Sequence, residues 1–435
     1  MSADAVLWIV MAFCLIVGCP IFVSLGVAST LALILTNIPM RIVALDMLKV
    51  MDMFPLLAVV GFIFAGALME KGGMARQIVD VASLFVGQIR GGLGITTILA
   101  CTFFAAISGS GPGTVAAVGT ILVPAMVRNG YSRDYASAAA SSGGTIGILI
   151  PPSIMLVSMG SYANVSVGKI FFAAIVPGLV LSLFYMIYVF VICHIHPDYG
   201  PAMTTEELAA MPLRERITGS LINLIPPVIL IVGVLGSIFT GWATPTEAAG
   251  VGALFSLILA IFYKQFSWKM LYDSLIDTAK TSAMVFIILF GASAFTGIFM
   301  SLDGDQLIAT WISSVGIGKW GAFAIMMAIV FFMGMFLDWL GIVMIVFPIF
   351  LPIMDMFGFD RLWIVAVTAV MLQTCFMTPP FGFALFYIKG IVPPSVKIQE
   401  IYRGVIPFIL IIIAVVILVT AFPQIVYFLP NLVAS

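Results

Sequence analysis

Polar punctuation divides the 435-residue chain into apolar stretches at roughly 5–36 (interrupted at Pro20), 54–69, 93–107, 113–127, 136–160, 170–193, 221–239, 248–263, 281–301, 320–337, 339–354, 362–388 and 404–429. A membrane-spanning helix needs about 20 apolar residues, and several of these stretches reach that length. The few polar residues between them cannot enclose so much apolar surface in water. Lipid-exposed strands would instead show alternation in units of about ten residues. The pattern predicts an all-α polytopic membrane protein. Two pairs of stretches are too short to span singly. The first pair is separated only by Ser108-Gly109-Ser110-Gly111-Pro112 and the second by Asp338 alone. Each pair predicts a helical hairpin that enters the membrane and turns back.

The longest polar stretch runs from His194 to Ser220 and contains Glu206, Glu207, Arg214, Glu215 and Arg216. It reads as a linker, and Thr204-Thr205-Glu206-Glu207 has the character of a helix start, which predicts a short amphipathic surface helix. Dividing the chain there gives a first repeat at 1–193, a linker at 194–220 and a second repeat at 221–435. One constant offset pairs Gly113 with Gly341, Pro124 with Pro352, Gly130 with Gly358, Tyr131 with Phe359 and Arg133 with Arg361. The same offset pairs Pro151-Pro152 with Pro379-Pro380 and Lys169-Ile170 with Lys397-Ile398. So many matches without a gap indicate duplication. A duplicated membrane chain with helices interrupted at equivalent places is the signature of a secondary transporter whose site lies at mid-membrane.

Composition agrees and narrows the class. The chain is 63% hydrophobic and 9% charged, with a mean hydropathy of +1.23; its partner is membrane lipid. The 18 basic and 19 acidic residues nearly cancel, which removes any footprint for nucleic acid. Cys14, Cys19, Cys101, Cys193 and Cys375 lack metal or disulfide spacing. No phosphate-binding GxxxxGK[ST] motif is present, and both histidines, His194 and His196, fall in the linker. ATP hydrolysis and other enzymatic chemistry are therefore not expected. The apolar run that follows Met1-Ser2-Ala3-Asp4 has no basic flank or cleavage site and reads as a retained span.

Three constellations carry candidate chemistry. In Ser108-Gly109-Ser110-Gly111-Pro112-Gly113-Thr114, glycine and proline interrupt the helix, releasing backbone carbonyls beside the hydroxyls of Ser108, Ser110 and Thr114. Such oxygens suit a hard cation such as Na⁺; read alone, the stretch is also an ordinary turn. In Ser141 to Ser153, Pro151 and Pro152 predict an unwound segment near Gly147 inside an apolar stretch. Its repeat equivalent is Gln373 to Gly382, with Cys375, Thr378, Pro379 and Pro380. Third, Asp338 is the only charge between Lys319 and Asp355. An isolated intramembrane carboxylate marks an ion pathway by default, and the repeat sets Asp338 opposite Ser110. Lys280, near the start of 281–301, either snorkels to the interface or meets an anionic substrate.

The run from Ser108 through Gly119, Pro124, Gly130-Tyr131, the Gly-Thr-Ile-Gly-Ile-Leu-Ile-Pro-Pro-Ser sequence ending at Ser153, and Met377-Thr-Pro-Pro-Phe-Gly382 resembles the large membrane subunit of TRAP transporters, the tripartite ATP-independent periplasmic family. The resemblance covers essentially the whole chain. It implies two inverted repeats with re-entrant hairpins, arranged as an elevator-type scaffold and a mobile transport domain. It also implies Na⁺-coupled uptake, across the bacterial inner membrane, of an organic anion such as a C4-dicarboxylate or sugar acid. A periplasmic substrate-binding protein and a small four-helix membrane subunit are the implied partners, the latter as a separate polypeptide. By position, one Na⁺ site is expected between Ser108 and Ser110 and the unwound residues Gly147, Ile150 and Pro152, largely through backbone carbonyls, and a second from Asp338, Cys375, Thr378 and Pro380. Thr114, Ser153 and Lys280 are the candidate substrate contacts. The hairpin tip departs from the family in carrying Gly111 and Gly113. A stand-alone Na⁺/dicarboxylate symporter is the alternative reading.

Overall fold

The computed structural model describes residues 3–36, 38–74, 77–79, 82, 89–202, 213–304, 310, 317–392 and 396–433. Among them the chain is helical and contains no strand. The first half comprises α1 (Ala3–Val17), α2 (Ile21–Leu35), α3 (Arg41–Met51), α4 (Leu56–Lys71), α5 (Gly92–Ser108), α6 (Gly111–Arg128), α7 (Arg133–Thr145), α8 (Ile154–Ala163) and α9 (Val167–Ile195). The second comprises α10 (Leu213–Phe239), α11 (Pro245–Phe262), α12 (Trp268–Ser301), α13 (Lys319–Gly334), α14 (Trp339–Met356), α15 (Arg361–Met371), α16 (Phe383–Ile391), α17 (Ile398–Ala421) and α18 (Gln424–Val433). The helix start expected at Thr204 to Glu207 lies outside the described residues.

Among the described residues, six helices are long and apolar enough to cross a membrane, and a seventh span results if α3 and α4, bent by 51°, are taken together. Most of the other apolar stretches form shorter helices, because Gly, Pro and capping residues end them early, whereas α10 runs for 27 residues. The stretch at 136–160 is the clearest case: α7 tightens into a 3₁₀ turn at Ile146–Ile148 before α8 begins at Ile154. The stretch at 362–388 divides in the same way into α15, a 3₁₀ turn at Leu372–Phe376, and α16. The helix at the expected stretch 281–301 is longer than its apolar pattern. α12 has 34 residues, about 50 Å of helix against a hydrocarbon core of about 30 Å. Lys280 therefore sits well inside this helix, not at its start.

Helix bounds repeat with the spacing of the sequence. α6 and α14 start and end at the offset that relates the paired glycines and prolines, and α7 and α15 start at it too. The recurring glycines have a conformational reason: Gly130 and Gly358 adopt φ +81° and +68° just past α6 and α14. At each of these ends the following amide reaches back, Tyr131 N to Met126 O at 3.0 Å and Phe359 N to Met354 O at 3.0 Å. This is the left-handed closure that glycine favours. Pro151–Pro152 and Pro379–Pro380 are both cis.

The two members of each short pair, α5 with α6 and α13 with α14, pack against each other. α14 is buried on nearly every side, from Leu340 through Leu351, as expected for a helix apolar all round. α6 keeps an open side, with Ala116 and Ala117 half-buried and Thr120 exposed.

Candidate functional site: two hairpin tips facing broken helices

The first tip is ordered by its own oxygens. α5 ends at Ser108, Gly109 turns at φ +59°, and Ser110 caps α6 by accepting from Gly113 N at 3.3 Å. Pro112 follows inside the first turn, where a missing amide hydrogen does no harm. Thr114 Oγ1 donates to Ser110 O at 2.7 Å, and the Thr114 and Ser108 hydroxyls are 2.9 Å apart. The broken helix meets this cluster closely. A Cβ added at Gly147 would lie 2.6 Å from Thr114 Oγ1 and 2.9 Å from Ser110 O. One added at Gly109 would lie 2.6 Å from Pro152 O.

Ser108, Ser110, Thr114, Gly147 and Pro152 are thus brought together, and all but Ser110 are buried. The Ile150 side chain turns away, against Gly178 of α9. Ser153 is fully buried; it caps α8 by accepting from Leu156 N at 3.3 Å and donates to Ile148 O. The hydroxyls of Thr114 and Ser153, candidates for substrate contact, are both engaged within the chain.

The second tip uses a carboxylate where the first uses a hydroxyl. Asp338 caps α14, its Oδ1 accepting from Gly341 N at 3.2 Å, the counterpart of Ser110 accepting from Gly113. Asp338 is half-buried, and the Cys375 thiol stands against it and the Trp339 amide. Close packing of hairpin and broken helix recurs here: a Cβ added at Gly334 would lie 3.0 Å from Cys375 Cβ. Thr378 Oγ1 donates to Thr374 O at 2.7 Å. Pro380, exposed where Pro152 is buried, offers its carbonyl to Tyr402 OH at 2.7 Å. Lys280 is exposed and, among the described residues, has no hydrogen bond or ion pair to either tip.

Oxygen dominates both clusters. A hard cation accepts such ligands, whereas no group of three or more His, Cys, Asp or Glu able to hold a metal ion occurs among the described residues. The first tip gathers Ser108, Ser110, Thr114 and the Pro152 carbonyl, oxygens of the kind a hard cation accepts, and the second sets Asp338 beside Cys375.

Two residues at the first tip escape a reading by apolar pattern. A Cβ on Gly66 of α4 would lie 2.5 Å from Ser108 O, so this glycine lets α4 press against the tip backbone. One helical turn later, Glu70 Oε2 reaches the tip as well, 3.0 Å from where a Cβ on Gly113 would stand. The apolar stretch at 54–69 stops just before Glu70, which makes the residue look like loop. Its one signal is a charge continuing the Gly66 face at i,i+4.

Paired hairpins facing paired interrupted helices, in a multi-pass helical protein, define the architecture of a secondary transporter. The comparisons make the class specific: residues 8–425 match the model of the tripartite ATP-independent periplasmic transporter, DctM component, and this chain belongs to that family. The C4-dicarboxylate TRAP transporter large permease protein of Pseudomonas aeruginosa is 34% identical over 413 residues, covering 94% of each chain. The ectoine/5-hydroxyectoine large permease protein of Ruegeria pomeroyi is 33% identical over 385 residues, covering 87% of each. In fold, the chain is similar to the YdaH transporter of Alcanivorax borkumensis, with a TM-score of 0.62 at 14% identity, over 86% of this chain and 87% of that one.

Proposed function

We propose that this chain is the large membrane subunit of a Na⁺-coupled symporter of the bacterial inner membrane, importing an organic carboxylate handed over by a periplasmic binding protein. It works with a small four-helix membrane subunit. Its two repeats lie in inverted orientation; the hairpins and broken helices form a transport domain that moves against a scaffold. Na⁺ binds at the Ser108–Ser110–Gly147–Pro152 cluster and at the Asp338–Cys375–Thr378 cluster, ordering each tip against its broken helix. Substrate then binds between the tips. The observation that carries this reading is the pair of oxygen-lined tips at one spacing, capped by Ser110 and Asp338 in the same manner. Na⁺ drives transport only through its preference for the substrate-ready arrangement, and closing a tip over a neutral and an acidic oxygen cluster supplies that preference.

The test is uptake into proteoliposomes holding this chain and its small subunit, with the binding protein outside. Accumulation should follow an inward Na⁺ gradient and fail without the binding protein. Uptake indifferent to Na⁺ would sink the coupling; undiminished uptake without the binding protein would favour a stand-alone symporter.

A further inference from the structure

We infer that Glu70 selects the charge of the substrate, favouring a carboxylate that also carries a cationic group over a dianion. The inference rests on the transporter reading above and deepens it. Glu70 closes the last turn of α4, on the same face as Gly66. Gly66 lets this face lie against the Ser108 carbonyl, and Glu70 then extends its carboxylate over Gly113, in the first turn of α6.

Three features make this carboxylate more than a surface charge. It is exposed beside the open side of α6, where Pro112, Gly113, Ala116 and Ala117 are half-buried and Thr120 exposed. The adjacent Lys71 ammonium offsets this charge only in part, because it is shared with Asp277 of α12, to which it is paired. Glu70 itself has no hydrogen bond or ion pair among the described residues. Glu70, Lys71 and Asp277 therefore sum to one negative charge, carried at the tip. A negative group fixed beside the tip repels a second substrate carboxylate and attracts an ammonium or amidinium. At separations of about 5 Å and an effective dielectric constant near 20, discounted for screening, the preference is about tenfold.

The experiment compares binding of ectoine, a zwitterion, and succinate, a dianion, to the purified permease complex by titration calorimetry at fixed Na⁺. The wild type should bind ectoine more tightly, and Glu70→Gln should lower the ectoine-to-succinate affinity ratio about tenfold, while Glu70→Asp keeps most of it. A ratio unchanged in Glu70→Gln, or a wild type that prefers succinate, would overturn the inference. If neither probe binds, the tip charge is read directly from an Ala116→Cys variant, as the rate ratio of a cationic to an anionic methanethiosulfonate, corrected for labelling of the parent protein. Adding Glu70→Gln should lower that ratio severalfold, and equal ratios would again overturn the inference. Stabilisation of the complex by Na⁺ in a thermal-denaturation series serves as the separate check. In Glu70→Gln it should shift to higher Na⁺ but remain at saturating Na⁺, because the oxygens of the first tip are still in place, whereas its absence from the wild type would strike at the symporter reading instead.

Discussion

Gly147→Ala is the sharpest probe of how hairpin and broken helix fit. The new methyl would stand 2.6 Å from Thr114 Oγ1 and 2.9 Å from Ser110 O, whereas comfortable contacts of this kind lie near 3.5 Å. Either the tip or the 3₁₀ turn at Ile146–Ile148 must retreat by roughly 0.6–0.9 Å, judged against that contact distance. Neither neighbour is the free end of a flexible side chain: Ser110 O is backbone, and Thr114 Oγ1 is tied to it at 2.7 Å. Overpacking of this size costs about 1–3 kcal/mol. Because the strain falls on the arrangement that gathers the oxygen ligands, it should appear as a loss of Na⁺ affinity of about 5- to 150-fold. The assay is Na⁺-dependent uptake in proteoliposomes, scored as the half-saturating Na⁺ concentration, with thermal denaturation confirming the fold. Gly233→Ala is the control, since nothing lies within 4 Å of a Cβ there. A folded Gly147→Ala protein with half-saturating Na⁺ within twofold of wild type would refute the placement of the first site.

Asp338→Asn keeps a good helix cap while removing the charge; fold and expression should hold, and half-saturating Na⁺ should rise at least about tenfold, an effect comparable to losing one charged ligand at a few kcal/mol. Tyr402→Phe releases the Pro380 carbonyl from its 2.7 Å hydrogen bond; if that carbonyl serves the second site, Na⁺ should bind more tightly, and weaker or unchanged binding would remove Pro380 from the ligand set. Thr244→Ala dismantles the reciprocal cap at the start of α11, where Thr244 N donates to Glu247 Oε2 at 2.8 Å and Thr244 Oγ1 accepts from Glu247 N at 3.3 Å. It should lower stability by about 1 kcal/mol in thermal or denaturant unfolding, with Na⁺ half-saturation unchanged.

What the chain declares in one dimension and what it hides follow from how each feature is encoded. Interrupted helices are local: Pro151-Pro152 and Pro379-Pro380 cannot continue an α-helix, so both breaks can be read from the residues. The tip turns are local too, and the constant offset between the halves converts weak signals into paired ones. Asp338 is legible as an isolated charge but not as a cap, because capping depends on where α14 begins. The bent pair of α3 and α4 is legible only in part, since α3 carries Arg41, Asp46 and Lys49 and breaks the apolar pattern. Gly66 and Glu70 belong to a third category. Their meaning comes from contact with Ser108 and Gly113, far along the chain, and no periodicity in the sequence records that approach. Lys280 shows the converse: hydropathy places it at a segment edge, while the helix continues towards the N-terminus as far as Trp268.

The two proposed ion sites, one at each tip, act in a single transport cycle. The most direct measurement is the Na⁺-to-substrate stoichiometry, from the membrane potential at which net substrate flux reverses in proteoliposomes with defined Na⁺ and substrate gradients. Two or more Na⁺ per substrate in the wild type, falling by one in Asp338→Asn, is the predicted result. A ratio of one in the wild type, or a ratio that Asp338→Asn leaves untouched, would contradict it.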